Sequence, residues 1–277
     1  MQKTLTSTFA KIRHRTEWRL KHKPSTQLRV RRFAPLLTVI VLLAIWQIVT
    51  ALALVQPFLI PSPQAVLDKL FEVLKDGTLP RHAAITLETV LIGLSLGVGV
   101  GAALGYLIAR ISLLEAILAP LIVTLQSTPV VAYAPLLVIW FGTGIESKII
   151  TCGLIVFFPM LMNTLVGIRT IPIELREVMQ ISQATYWQTF IKLELPAAMP
   201  ILLTGLKTSA TLAVIGAVVG EFITTNAGLG FLLARARGQY DTPLVFVGVF
   251  TLSFMAISLY SCISLLQRRL LFWQRRL

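Results

Sequence analysis

Acidic residues are scarce in this sequence of 277 residues, which holds 12 Asp or Glu against 25 Lys or Arg. Charged residues make up only 13% of the chain, compared with roughly 25% in an average soluble domain. The apolar set reaches 56%, and the mean hydropathy is +0.80. This composition excludes a water-soluble protein. It predicts one all-α, polytopic membrane domain, because six spanning helices of about 20 residues would use most of the chain.

Cysteine and histidine, two common metal-binding residues, are equally rare. The two cysteines, Cys152 and Cys262, lie in apolar stretches without a partner at ligand spacing, so neither a disulfide framework nor a zinc site is predicted. All three histidines lie outside the apolar segments, and no nucleophile or metal-binding set accompanies them. We therefore expect neither a membrane enzyme nor a bound cofactor.

A phosphate-binding loop of the form GxxxxGK[ST] is missing from the sequence. Any activity driven by ATP would therefore need a separate ATPase subunit. Charges are also nearly missing from the apolar segments, since Glu88, Lys207 and Glu221 are all predicted near segment ends. Because ion-coupled transporters usually carry buried charges, this pattern disfavours a transporter of that class.

Six apolar segments follow one another along the chain, each able to cross a hydrocarbon core of about 30 Å. They are residues 36–55, 85–109, 117–140, 149–167, 198–222 and 243–266. With the amino terminus inside, the inner connections and tails carry 18 Lys or Arg and the outer connections carry 6. This excess predicts that both termini face the cytoplasm.

Residues 1–35 form a basic amino-terminal tail ahead of the membrane domain at 36–277. The net charge of +13 would suggest nucleic acid in a soluble protein, but the basic residues crowd the ends of apolar segments, so no nucleic-acid binding is predicted. The leader is longer than that of a signal peptide, so the first helix is expected to be retained. Residues 9–20 form either an amphipathic helix on anionic lipid or a mobile basic segment.

Glycines and prolines mark the second, third and fourth segments. The second segment contains Gly93, Gly97, Gly99, Gly101 and Gly105. Such a ladder lets helix backbones approach closely, although it could also line a passage. Prolines interrupt the third segment at Pro120, Pro129 and Pro135 and the fourth at Pro159. Because freed carbonyls need protein or water as partners, these prolines favour a cavity between helices.

Polar side chains within the segments are the candidates for lining that passage. The most polar cluster comprises Thr124, Gln126, Ser127 and Thr128. Asn163 either faces the passage or bonds a neighbouring helix, since a buried amide in lipid must find partners. Glu221 lies near the outer mouth, where it could gate the passage, contact an external protein or remain a hydrated acid at a helix end.

An external amphipathic helix is predicted at residues 61–75, against the outer membrane surface. Its apolar face consists of Val66, Leu67, Leu70, Phe71 and Leu74.

The longest polar stretch between apolar segments is the cytoplasmic loop at 168–197, the one place for a soluble partner to bind. Pro172 can open a helix whose first turn holds Glu174 and Glu177. A second helical stretch is expected along the membrane surface, after which Pro196 and Pro200 redirect the chain into the fifth segment. The result would be a stiff helix-turn-helix.

This loop resembles the signature of permeases in binding-protein-dependent ABC importers. Glu177, Val178 and Met179 stand where that family has Glu-Ala-Ala, and Gln183 stands at the family's glycine. The positions that fit further along are Ala184, Phe190, Leu195, Pro196 and Pro200. In the family this loop docks into a groove on the ATPase. The resemblance therefore implies a contact surface from Glu177 to Thr185. Glu177 either stabilises its helix, or it orients the loop or meets an arginine on the ATPase.

Other blocks look like the branch of this family that imports sulfonates, taurine, nitrate and vitamin precursors. They are FLIPSP at 58–63, APLLVIWFGTG at 134–144, FFPMLMNTLVGIR at 157–169, GLGFL at 228–232 and RRLLFW at 268–273. The block AVIGAVVGEF at 213–222 looks closer to permeases for pyrimidine precursors or flavins.

The resemblance implies a type I importer permease in the cell's inner or plasma membrane. It further implies a homodimer with the passage on its twofold axis, two copies of an ABC ATPase and an external solute-binding protein that does most of the selecting. Vitamin or pyrimidine precursors are the expected solutes, with sulfonates or nitrate as the alternative. The rival from another class is a passive channel, which would have no need of a docking loop.

Overall fold

A computed structural model describes residues 25–223 and 227–272, which are helical apart from short connections. The elements are α1 Ser25–Ala51, α2 Pro63–Lys75, α3 Thr78–Arg110, α4 Ser112–Ser127, α5 Val130–Phe141, α6 Ile145–Arg169, α7 Ile173–Ile181, α8 Tyr186–Thr189, a π-helical turn Phe190–Glu194, α9 Leu195–Ile223, α10 Leu229–Gly238 and α11 Thr242–Leu270. These described ranges contain no β-strand. The predicted all-α class is confirmed.

The chain divides into two units, with the boundary between Gln64 and Ala65. In the first unit the Trp46 Nε1–H donates a 3.0 Å hydrogen bond to the Pro61 carbonyl, which ties the end of α1 to the loop after it. The apolar part of α1, Leu37–Ala51, exposes most of its side chains, as expected of a helix in lipid. Most of the predicted basic tail lies outside the described residues. The 9–20 segment lies wholly outside them.

In the second unit, the described helices long and apolar enough to cross a membrane are α3, α6, α11 and a continuous helix Tyr186–Ile223 formed by α8, the π turn and α9. α3, α6 and α9 pack together as the core, and α11 packs against α9. These four helices cover the second, fourth, fifth and sixth predicted segments. The prediction that Lys207 lies near a segment end is wrong, because Lys207 is near the middle of Tyr186–Ile223.

The third predicted segment, 117–140, is divided between α4 and α5, which meet at 94°. The break falls at Thr128 and Pro129. Thr128 takes the extended conformation (φ −84°, ψ 127°) expected of a residue before proline, and Pro129 has no backbone N–H to continue the helix. The predicted interruption of the third segment by proline is therefore present at Pro129, and the bent pair forms a broken span or a re-entrant loop. Pro120 and Pro135, by contrast, are accommodated within their helices.

Close packing of α3 against α6 depends on the glycine ladder. A Cβ added at Gly97 would lie 2.5 Å from the Gly153 carbonyl oxygen, and one at Gly105 would lie 2.5 Å from the Leu161 carbonyl oxygen. This confirms the ladder's packing role for the glycines on that face. Gly99 does not belong to it, because a Cβ there would meet open space.

The predicted external helix is present as α2 and buries Val66 and Val73. Lys69 on its polar side pairs with Asp241 at 3.3 Å. Asp241 also caps α11 by accepting from the Leu244 N–H at 3.1 Å. The Lys69 contact therefore joins α2 to the start of α11, while the position of α2 on the outer membrane surface stays a prediction.

Candidate coupling site and solute passage

The turn between α7 and α8 is closed by a Schellman pair of backbone hydrogen bonds. The Gln183 N–H donates to the Gln180 carbonyl at 2.9 Å, and the Ala184 N–H donates to the Met179 carbonyl at 3.0 Å. Gln183 adopts the left-handed conformation that this turn requires, with φ 51°. The tight turn thus forms without glycine, although a side chain in this conformation costs about 1 to 2 kcal/mol.

We expect Gln183→Gly to raise the free energy of unfolding by about 1 kcal/mol, because glycine adopts the left-handed conformation without steric cost. Gln183→Val should lower it by a similar amount, since a β-branched residue is a poor fit there. Unfolding of the purified chain in SDS would measure both. The matched control is Gln180→Gly, in the ordinary helix of α7, which should be destabilising. Equal destabilisation by both glycine variants would contradict the described turn.

α8 opens with a capping box, in which Thr185 Oγ1 accepts from the Gln188 N–H and Gln188 Oε1 accepts from the Thr185 N–H. The chain does not turn at Pro196. Instead the Leu195 N–H bonds the Phe190 carbonyl, a π-helical contact that leads directly into α9. The predicted redirection at Pro196 and Pro200 is therefore wrong, since Pro200 also lies inside α9. The π turn ends two residues before Pro196, whose missing N–H interrupts the α-helical hydrogen-bond pattern in any case.

α7 presents an apolar surface to its surroundings. Ile181 is 83% exposed, Ile173 62% and Val178 56%. The other predicted contact residues are either exposed, as for Glu174, Glu177, Gln183 and Thr185, or half-buried, as for Met179, Ala184 and Pro196. Because exposed apolar clusters beside acidic residues are typical of protein interaction sites, this surface is suited to a soluble partner.

A buried carboxylate anchors this loop to the membrane helices. Glu194, at the end of the π turn, has no exposed side-chain surface. Its Oε2 accepts from Arg110 Nη2 and from the Tyr106 hydroxyl, both at 2.9 Å. Arg110 Nε in turn donates to the Tyr106 oxygen at 3.2 Å, which closes a triangle of contacts at the end of α3.

Arg176 extends the same cluster to α7. Its Nη2 donates to the Ile168 carbonyl at 2.8 Å and lies 3.6 Å from Glu194 Oε1. That oxygen has no hydrogen-bond partner among the described residues. Arg176 thus contacts both the end of α6 and Glu194, the carboxylate that pairs with Arg110 of α3. We call Tyr106, Arg110, Arg176 and Glu194 the inner cluster.

Two cavities adjoin the inner cluster. One of about 610 Å³ lies beside α7 and α8, and Arg110, Arg176 and Glu177 contribute charges to its wall. The other, of about 560 Å³, is lined mainly by apolar and aromatic side chains of α3, α6 and Tyr186–Ile223, including Trp187 and Phe190. The first can receive polar groups and the second apolar ones.

The predicted passage residues of α4 are exposed or half-buried, and their hydroxyls bond their own helix. Thr124 donates to the Pro120 carbonyl at 2.8 Å, and Ser127 donates to Val123 at 2.7 Å. Thr128 donates to the Thr124 carbonyl at 3.1 Å. Gln126 is exposed. Their role in lining a passage stays a prediction.

Asn163 lies where α6 packs on α9. Its Nδ2 donates to the Pro159 carbonyl of the same helix at 2.8 Å. A Cβ at Gly205 would come within 2.6 Å of the Asn163 Cβ. One N–H of the amide is therefore satisfied within α6, while the role of Asn163 in facing the passage or bonding a neighbouring helix stays a prediction.

Glu221 forms a second buried cluster at the opposite end of α9. It is only 1% exposed, so the interpretation as a hydrated acid is wrong. Its Oε1 accepts from the Thr86 hydroxyl at 2.8 Å, and its Oε2 accepts from the Gly230 N–H at 2.7 Å. The Thr86 oxygen also accepts from the Leu229 N–H at 2.7 Å. These contacts fix the start of α10 against α3. A role of Glu221 in gating stays a prediction.

Two further side chains hold the connection before α10. Lys148 Nζ donates to the Ala227 carbonyl at 2.9 Å, and His82 Nδ1 accepts from the Gly228 N–H at 3.0 Å. We call Glu221, Thr86, Lys148 and His82 the outer cluster. Sequence reasoning named Glu221 alone among these and none of the inner cluster.

Comparisons with known proteins agree with this architecture. A family model described as "Binding-protein-dependent transport system inner membrane component" matches residues 96–276. The chain is 41% identical to the riboflavin transport system permease protein RibX of Chloroflexus aurantiacus, over 86% of this chain and 88% of that protein. It is 36% identical to the formylaminopyrimidine transport permease protein ThiX of Halalkalibacterium halodurans, over 87% of this chain and 96% of that protein.

A third relative, the putative aliphatic sulfonates transport permease protein SsuC of Bacillus subtilis, is 33% identical over 84% of this chain and 85% of its own length. Among solved structures, an inward-facing MetNI methionine ABC transporter matches with a TM-score of 0.62 and 18% identity. That match covers 70% of this chain and 96% of the solved chain, and it shows the fold alone.

Proposed function

Because this chain belongs to the family of binding-protein-dependent transport system inner membrane components, we propose that it passes a heteroaromatic solute into the cell, driven by a separate ATPase. Family membership makes the chain a permease subunit of an ABC importer and a multi-pass membrane protein. ATPase and binding-protein partners follow from that role. The identity of the solute, the stoichiometry and the residues that couple transport to ATP belong to the proposal.

The coupling part of the proposal rests on the exposed surface of α7 and its turn. Ile181 and Val178 offer apolar area to a groove on the ATPase, and Glu177 offers a negative charge beside it. The inner cluster supports this role, since Arg176 and Glu194 connect α7 to the membrane helices without a flexible linker. A force applied to α7 would therefore reach α3 and α9.

Charge reversal at the docking surface is the direct test. We expect Glu177→Lys and Val178→Asp to reduce ATPase association and solute uptake by at least tenfold. The reason is that Glu177→Lys would place a positive charge opposite an arginine expected on the ATPase, and Val178→Asp would bury a carboxylate against the partner. Co-purification of the ATPase and uptake by cells measure the two effects. Met179→Ala should have a smaller effect, because Met179 is half-buried and offers less surface to a partner.

Lys75→Ala is the matched control, since Lys75 is an exposed charge on the external helix α2. It should leave uptake and association unchanged. Normal association and uptake in both Glu177→Lys and Val178→Asp would mean that α7 is not the coupling element.

The solute part of the proposal rests on the relatives. The two with 41% and 36% identity are named for riboflavin and formylaminopyrimidine, whereas the sulfonate permease has 33%. The block at 213–222, which contributes Glu221 to the outer cluster, also favours the flavin and pyrimidine branch. Flavins and pyrimidine precursors are both flat heteroaromatic rings with several hydrogen-bond acceptors.

Binding to the cognate external protein tests the solute class. We expect riboflavin or an aminopyrimidine to bind with a Kd of about 1 μM or below, equivalent to roughly 8 kcal/mol. Taurine, a sulfonate that represents the alternative solute class, should not bind at 1 mM. Quenching of flavin fluorescence and calorimetry provide the readouts. Taurine binding with no binding of either ring compound would assign the chain to the sulfonate alternative.

The proposal also includes the orientation of the chain in the membrane and its assembly with a second copy. The excess of 18 inner over 6 outer basic residues supports cytoplasmic termini and a cytoplasmic 168–197 loop. Two copies of this chain around a twofold axis, with two ATPase subunits, would form the passage.

A cysteine at position 177 should react with a membrane-impermeant reagent in inside-out vesicles only.

A further inference from the structure

A lysine near the middle of a membrane-spanning helix is the least expected charge in the chain. Lys207 lies about 18 Å along α9 from Leu195, by the rise of an α-helix, in a bilayer core of about 30 Å. It is half-buried. Its Nζ lies 5.4 Å from the centre of the Tyr260 ring on α11, a cation–π contact.

Among the described residues, no carboxylate forms an ion pair with this ammonium. The ion pairs found among residues 25–223 and 227–272 do not involve Lys207. α11 contains no acidic residue, and the only one in α9, Glu221, is engaged in the outer cluster. A cation–π contact recovers less free energy than a lysine loses at the centre of a bilayer. Lys207 is therefore expected to face water or a ligand in the assembled transporter.

Polar residues accompany Lys207 along one face of α9. Thr204, Thr208 and Thr211 are exposed, and their spacing places them one helical turn apart beside the lysine. The opposite side of α9 packs on α6 through Gly205 and other small residues. This polar stripe therefore faces away from the side of α9 that packs on α6.

We infer that Lys207 and the threonine stripe of α9 form a solute contact in the wall of the passage, which binds acceptor oxygens or ring nitrogens of the solute. The ammonium offers up to three N–H donors, and each threonine oxygen keeps acceptor capacity while its proton bonds the helix. This inference deepens the proposed function and rests on it. Acceptor atoms of this kind occur in both flavin carbonyls and sulfonates.

Water accessibility tests the position of the stripe independently of the solute. In the assembled transporter with Cys152→Ala and Cys262→Ser, we expect Thr208→Cys to react at least tenfold faster with a charged, sulfonated thiosulfonate than Phe254→Cys does. Phe254 is the matched control because it is 73% exposed on α11 between Phe250 and Ile257, which are exposed apolar residues as well. Equal rates at the two positions would overturn the inference, and the proposed solute class would be unaffected.

Charge at position 207 tests the contact itself. Lys207→Met should reduce ATP-driven uptake at least tenfold with the ATPase still associated, and Lys207→Arg should retain at least a third of it. Riboflavin and taurine are the probes, supplied with the cognate binding protein, and the one that is transported identifies which acceptor group is used. Lys75→Met is the control and should transport normally. Normal uptake by Lys207→Met, or loss of subunit assembly in it, would overturn the inference.

Discussion

Replacing Arg110 by methionine is expected to lower the free energy of unfolding by about 3 kcal/mol, because it leaves a buried carboxylate without its main cation. Glu194 has no exposed side-chain surface, and its Oε2 loses the 2.9 Å ion pair with Arg110. Arg176 remains, but at 3.6 Å from the other oxygen it cannot replace that bond. SDS-induced unfolding of the purified chain measures the change.

The double variant Arg110→Met with Glu194→Gln decides whether the pair itself is responsible. Removing the buried charge should restore at least half of the lost stability, since a neutral amide needs no counter-ion. Arg169→Met is a matched control, because Arg169 pairs with Glu115 at a more exposed site. Additive losses in the double variant would contradict the description of the inner cluster.

Replacing Gly228 by alanine is expected to cost about 3 kcal/mol or more, because strain and overlap act together. Gly228 has φ 117° and ψ 166°, a conformation essentially restricted to glycine. A Cβ at this position would overlap the Glu221 carboxyl group. We expect the outer cluster to open, with loss of uptake and a lower unfolding midpoint.

Gly238→Ala provides the comparison. Gly238 ends the same helix, α10, but a Cβ there meets nothing within 4 Å. This variant should keep normal uptake and stability. If Gly228→Ala were as stable and active as Gly238→Ala, the packing of Glu221 against the connection before α10 would be incorrect.

The helices themselves could be predicted because their signals are local. Each apolar segment is long enough to be recognised alone, and α2 and α7 are revealed by the spacing of apolar residues. The broken third span was less predictable. Prolines at 120, 129 and 135 look alike in the sequence, but only Pro129 separates two helices, whereas packing accommodates the other two.

The turn at Gln183 shows that a structural feature can be present when the residue typical of its sequence motif is replaced. Glycine is favoured there for its freedom in the left-handed region, but the Schellman hydrogen bonds hold glutamine in the same conformation. The family's glycine is therefore missing from the sequence motif, although the backbone turn that this glycine favours is present. A substitution that costs only about 1 to 2 kcal/mol can be tolerated when other contacts support the turn.

The two buried clusters could not be predicted because their partners are distant in sequence. Glu194 lies 84 residues from Arg110, and Glu221 lies 135 residues from Thr86. A single sequence holds no sign of which acid meets which helix. Both clusters connect α3 to the chain at the two ends of α9, so a movement of α9 relative to α3 would have to break buried contacts at one end.

We propose that this permease moves solute only when a docked ATPase acts through α7. The most direct measurement is riboflavin uptake by proteoliposomes that contain the chain, its ATPase subunits and its binding protein, with and without ATP. We predict accumulation that requires ATP and that Val178→Asp abolishes while the chain stays folded. Riboflavin equilibration at the same rate without ATP would contradict the claim and would favour a passive channel.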